Sequence, residues 1–326
     1  MRQKLIVLFY ILSSVSCLLP PAFAAPLPTF DDFRRMDRER RVSGQLQTAE
    51  SLALLRIDPA LVLRVAGQHR DNAQIQWGAA ELLNDWTQKQ AQFEVALAVS
   101  GTNATIALWF ACDAAQSGKF DTAQTWLQYC QKIDSSNAVP WLVMFWISSK
   151  QAAPLDAIQP PACATQFHDA IAPAARARIR LLEAAGYSPY AARRLGVLGV
   201  NMALPSMLRE LAKQKLPDPA ARLLLTAAQA MQHGMLFITE LVGQTVEKSL
   251  LQARPDAETN TEIAARLEHL AARRESIKRV TSDVGRIVDA ATESEMVQYF
   301  DDILTVGEEG AMNRLAKTVK KTPPTN

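Results

Sequence analysis

The side chains from which this 326-residue chain could build a reaction centre are its paired acids and its few histidines and cysteines. Asp301-Asp302 and Glu308-Glu309 have the chemistry of a general acid and base set side by side, the pairing that cleaves glycosidic bonds. Both pairs read more simply as acids at helix starts and on solvated faces. The four histidines, His69, His168, His233 and His269, are far apart and lack the spacing of metal ligands. No Gly-x-Ser-x-Gly elbow, phosphate-binding glycine loop, His-Glu-x-x-His helix or dinucleotide fingerprint occurs. The reading is therefore of a protein that is not an enzyme, with no catalytic residue, no metal and no cofactor.

The beginning of the chain sets the redox context of its thiols. Arg2 and Lys4 precede an apolar run from Leu5 to Leu19, and Ala22-Phe23-Ala24 supplies small residues at the positions a signal peptidase reads. The run is shorter than the ~20 residues of a membrane-spanning helix, and Pro20-Pro21 ends it. Residues 1–24 are thus expected to be a cleaved signal peptide, leaving no transmembrane helix and placing the protein in the periplasm or outside the cell. Acylation at Cys17 is the lesser alternative, because Ser14 stands where a lipobox carries a leucine-like residue.

Cys112, Cys130 and Cys163 remain after cleavage. Export favours one disulfide and one free thiol, and burial as small apolar residues is the competing expectation. If 104–116 and 120–133 form a hairpin, Cys130 lies ~9 Å along its helix from the position facing Cys112, so a bond between these two would be strained. Cys163 follows Pro160-Pro161 in a loop and is freer to pair.

Cleavage also removes Arg2 and Lys4 from the 35 basic residues, leaving 33 to face 33 acids. A neutral mature protein gives no general attraction for nucleic acid. The basic clusters around Arg34-Arg35 and Arg273-Arg274 are interleaved with acids and read as solvated helix faces.

The elements that must position these residues are helices. Hydrophobic residues make up 48% of the chain, and Ala, Leu, Gln, Arg and Glu recur at helical spacing without strand-like alternation. Asp58-Pro59, Ser188-Pro189 and Asp218-Pro219 each read as an N-cap followed by proline at the first helical position, and Gly186 reads as a C-cap. Asn-Ala occurs at Asn72, Asn103 and Asn137, at intervals of 31 and 34 residues, each followed by a tryptophan (Trp77, Trp109, Trp141). A period of that length predicts stacked supersecondary units. Further helix pairs are expected at 167–185 with 189–200 and at 219–232 with 236–252. Ile263, Leu267, Leu270, Ile277, Val284 and Ile287 predict a long amphipathic helix over 261–290, packed onto the body. The division expected is 1–24 signal peptide, 25–71 N-terminal helices, 72–166 repeats, 167–316 a less regular helical region and 317–326 a fraying tail.

The unit from Ala104 to Asn137 resembles the tetratricopeptide repeat. Phe110 and Ala111 match its large-then-small pair in the first helix, and Gly118 and Phe120 match its turn. Ala123, Cys130 and Asp134 match the small and acidic positions of its second helix. Leu127 fills that helix's core, and Trp141 opens the next unit. Ser135 replaces the family's proline and Ala114 its first-helix aromatic, and the flanking units are degenerate. The resemblance implies an all-α fold of antiparallel hairpins stacked as a right-handed solenoid. It also implies a concave groove for a protein or peptide partner, lined by Thr105, Leu108, Cys112 and Ala115. The function expected is an exported interaction scaffold of the cell envelope. An envelope enzyme with its site in the C-terminal half, or a structural subunit joined through the 261–290 helix, are the alternatives. Lytic transglycosylases, which include exported helical solenoids, are only faintly echoed by Gly310-Ala311-Met312, without their serine- and glutamine-containing context.

Overall fold

The structure, a computed structural model, describes residues 27–43, 54–254, 256–257 and 259–319, with the backbone alone at 40–43 and 282–286. The expected signal peptide and most of the fraying tail lie outside these residues. The described chain is all-α: α1 (Phe30–Ser43), α2 (Pro59–Gln68), α3 (Ala73–Leu82), α4 (Trp86–Val99), α5 (Ala104–Gln116), α6 (Phe120–Ile133), α7 (Val139–Lys150), α8 (Ile171–Ala184), α9 (Pro189–Leu198), α10 (Ala203–Leu211), α11 (Asp218–Met231), α12 (Phe237–Gln252), α13 (Thr261–Ala290) and α14 (Glu293–Val319). No strand occurs among the described residues, only an isolated bridge between Asn137 and Gln166. No described helix is long and apolar enough to cross a membrane.

The repeated Asn-Ala dipeptide has a direct physical meaning. Asn72 accepts the backbone N–H groups of Gln74 and Ile75, and Asn103 those of Thr105 and Ile106. Asn137 accepts the N–H of Val139 at 3.1 Å. The sequence period is therefore a period of helix starts, each asparagine oxygen satisfying donors that the first turn leaves open. Asp58 and Ser188 cap α2 and α9 in the same way, with proline following. Asp218 does not: α11 begins at Asp218 itself, so its carboxylate lies within the first turn rather than capping it.

Gly118 closes α5 and Gly186 closes α8, with φ of 71° and 89°. At each, the following amide reaches back over the turn, Lys119 N–H to Ala114 O and Tyr187 N–H to Leu182 O. A left-handed backbone at these points is what favours glycine.

The chain divides into two compact units, interleaved in sequence. The first takes the residues up to Gly101 with 172–201 and 291–300, so the division falls between the first and second Asn-Ala repeats. Its core joins Val62, Val65 and Ala66 of α2 to Ile75 and Ala79 of α3, Leu83, and Leu181 of α8. A Cβ at Gly78 would collide with the carbonyl oxygen of Ala177, so only glycine allows this approach of α3 to α8. Arg178 is buried, donating to Glu81 O at 3.3 Å and Leu195 O at 3.1 Å. These carbonyls end α3 and α9, where a cation complements the helix dipole. Arg194 of α9 forks onto Asp37 of α1 at 2.8 and 2.9 Å and lies over the Phe33 ring.

The second unit takes residues 102–171, 202–290 and those from 301 on. Here α5 pairs with α6 and α11 with α12, while α7 packs on α6, α10 and α11. Phe110, Ala111, Ala123, Leu127 and Cys130 are buried, and the Phe110 ring meets that of Trp126 across the pair at 6.0 Å. Phe120 and Trp141 are half-buried, Phe120 resting edge-on against Trp146.

Candidate functional site

The face expected to line a groove is where the sequence reading needs its main correction. Leu108, Cys112 and Ala115 are 5%, 5% and 0% exposed, and only Thr105 is partly open. These residues are brought together on α5, but α7 and α10 pack against that helix. Small apolar residues suit a groove floor, and they equally suit burial inside a helical bundle, which is where these three lie.

Of the tryptophans, Trp77, Trp109 and Trp146 are buried and Trp86, Trp126 and Trp141 half-buried. An outward-facing stripe remains on α6, where Trp126, Tyr129 and Ile133 recur at helical spacing. Trp126 meets Tyr129 edge-on at 5.9 Å, the Tyr129 hydroxyl donates to Thr102 O, and Ile133 is 61% exposed. Turning away from this stripe, a shallow depression of about 330 Å3 is lined by Gly118, Lys119, Phe120, Asp121, Thr122 and Gln151.

The titratable groups gather in two places in this unit. The first joins the loop after α6 to the loop before α8. Asp134 accepts from the Ser136 hydroxyl at 2.6 Å and meets His168 Nδ1 at 3.1 Å. These contacts, the Ser136 bond foremost, hold the Asp134 carboxyl below its usual range. Asn137 and His168 exchange two further bonds through backbone groups, and exposed Cys163 lies on Ser135. Aspartate stands between serine and histidine, so no hydroxyl is delivered to a base and the cluster is a clamp between loops. All three described cysteines are free thiols, and burial pushes Cys112 up and Cys130 up to about 12. The expected disulfide is therefore not formed among them.

The second place is the seam of α12 with α13 and α14. Glu240, Gln244 and Glu247 of α12 are buried. Glu240 receives Arg273 through two bonds of 2.6 and 3.0 Å, and Glu247 receives Arg266 through two of 2.9 Å. Arg273 also forks onto Glu309 of α14 at 3.0 and 2.7 Å. This bond holds the Glu309 carboxyl below its ordinary range. Burial pushes the Glu247 carboxyl up, but the bonds from Arg266, Gln232 and Gln229 together leave it lowered. Arg274 donates to Thr245. Arg273 and Arg274 are thus half-buried and tied to α12 and α14 rather than standing on a solvated face. Two acids seven residues apart in one helix and two arginines seven apart in the next were the signal available in the sequence.

Comparison with known proteins yields no matching family model, no matching curated protein and no matching solved structure.

Glu308 differs from its neighbour. Gly307 breaks α14 with φ of 77°, and the turn brings Glu308 N–H to Met235 O at 2.8 Å. The Glu308 carboxylate accepts the N–H of Phe237 at 2.8 Å, capping α12 from another helix. Burial raises its carboxyl above the usual range, more than the Phe237 bond lowers it. Glu308 is accordingly not a solvated acid, whereas Glu309 stays 42% exposed within its arginine fork, and Asp302 is buried against Arg314 at 2.9 Å. A carboxyl raised on folding adds stability that is full below its unfolded value and is lost as pH climbs through the folded one. Glu308→Gln keeps an oxygen for Phe237 without the charge. It should therefore melt above the wild type at pH 7, with the gap closing towards pH 4, in thermal unfolding followed by circular dichroism. Lower stability at pH 7 would show that the ionised form is the one the fold prefers.

Among the described residues no group of three or more His, Cys, Asp or Glu side chains is placed to hold a metal ion.

Proposed function

We propose that this chain is an exported helical-repeat scaffold of the tetratricopeptide kind, its hairpins stacked as a right-handed solenoid, that binds a protein partner in the periplasm or cell envelope. Support comes from the paired helices, the asparagine that recurs at three helix starts and the buried residues Phe110, Ala111 and Leu127. The observation that carries the reading is the α6 stripe of Trp126, Tyr129 and Ile133. Part-buried aromatics beside an exposed aliphatic side chain are the composition of an interface centre. With the inner face of α5 covered, contact is assigned to this outward helix rather than to Thr105, Leu108, Cys112 and Ala115.

The enzyme reading would use the converging acids of the C-terminal half. Glu240, Glu247 and Glu309 each lie in an arginine fork, which engages their lone pairs and favours the ionised state. That favours a structural role for them. The third reading needs an open apolar face on α13, and Ile263, Leu270 and Ile277 are already buried.

The test is capture from an envelope fraction with the tagged protein and with Trp126→Ala/Ile133→Glu, both verified as folded by circular dichroism. A partner seen with the wild type should fall at least tenfold with the variant, since interface aromatics contribute about 2 kcal/mol or more. Equal recovery on the folded variant would overturn the α6 assignment.

A further inference from the structure

Helix α10 packs, together with α7, against the helix expected to line a groove, and it has the build of an amphipathic segment seated in an apolar groove. Its buried residues Leu204, Met207, Leu208 and Leu211 fall at i, i+3, i+4 and i+7, the anchor pattern of a helix lying in an apolar groove. They face a surface made by α5, α7 and α12. Nine residues are too few for a stable isolated helix, and α10 opens at Met202 without a side-chain cap. Its helicity therefore depends on what it docks against. Non-helical segments at 199–202 and 212–217 flank it on both sides.

The polar ties of α10 sit at one end. Glu210 accepts from the Trp146 indole at 2.9 Å and from Lys150 at 2.7 Å, and Gln214 just beyond donates to the Ser149 hydroxyl at 3.2 Å. Lys150 and Glu210 are both substantially exposed, so this contact forms and breaks in water at small cost.

We infer that α10 is an exchangeable internal ligand that occupies the α5–α7 face and excludes a partner helix from it. The competitor it specifies is an amphipathic helix with apolar residues at the four anchor positions. That helix carries an acid one residue before the last anchor, to meet Trp146 and Lys150. The inference rests on the scaffold reading but uses a surface separate from the α6 stripe.

The test uses the full chain and a fluorescein-labelled peptide of its own residues 200–214, with binding read by anisotropy. Leu208→Asp in the chain weakens the resident helix while leaving the walls of the groove unchanged. The folded variant should bind the peptide at least tenfold more tightly than the wild type does, and Glu210→Ala in the peptide should weaken that binding severalfold. In the wild type, backbone amides of α10 should exchange with deuterium at least tenfold faster than those of α5. No binding by a folded variant, unfolding of the variant, or equal protection of α10 and α5 would each overturn the proposal. Failure to lose an envelope partner on changing α6 would leave this result untouched, because every component here belongs to the chain itself.

Discussion

Replacing Arg273 with alanine should destabilise the second unit by roughly 3 kcal/mol, the lower end of the cost of removing one partner from a buried ion pair. Arg273 is 29% exposed, so solvent repays part of the loss, but the Glu240 side chain it serves is only 7% exposed and keeps no other cation among its described bonds. The effect should depend on acidity in a definite direction. Glu309 is held below its ordinary range by Arg273, so its contribution is present above the unfolded carboxyl value and is lost as pH falls through the folded one. The gap between wild type and Arg273→Ala should therefore shrink in urea unfolding at pH 3 relative to pH 7. Adding Glu240→Gln to Arg273→Ala should recover part of the stability, since the uncompensated charge is then gone. A double variant no better than the single one would mean that lost packing, not stranded charge, sets the cost.

Arg178→Ala should cost the first unit about 3–5 kcal/mol, the larger effect of the two. Burial pulls its guanidinium down to about 10, still charged at neutral pH, and its donors end two helices at once. Substitution removes one donor from each carbonyl, Leu195 O keeping only the Gly199 N–H, and opens a space between the helices. A Cβ at Gly199 would already collide with the guanidinium, so the surroundings are built to the shape of this side chain. Arg178→Lys reaches fewer acceptors and should fall between wild type and alanine. Thermal denaturation of the three proteins orders them, and an alanine variant melting with the wild type would refute the double-capping role.

The α5–α6 hairpin could be read residue by residue from the chain, ends included, because its limits are local chemistry. Asn103 starts it and Gly118 turns it, and neither needs a distant neighbour. The same holds for Asp58, Ser188 and Gly186. What escaped depends on partners remote in sequence. Leu108, Cys112 and Ala115 have the same size and polarity whether they line a groove or are buried among other helices. Arg273 reads as a surface residue until α12 and α14 bring acids to it from 33 and 36 residues away. The break in α14 is hidden because Gly307 adopts a left-handed backbone inside an otherwise helix-favouring segment.

The two ionic rungs of α12 and α13 lie one heptad apart on each helix, Glu240 with Arg273 and Glu247 with Arg266. They work as a two-toothed key. Sliding α13 by seven residues in one direction would bring Glu247 to Arg273 but set Glu240 opposite Val280. In the other direction Glu240 would meet Arg266 while Glu247 faced Thr259. Either slip strands one interior carboxylate against a side chain without charge, whereas an all-leucine seam would tolerate both. The interior charges thus contribute less to holding these helices together than to deciding where along each other they stop.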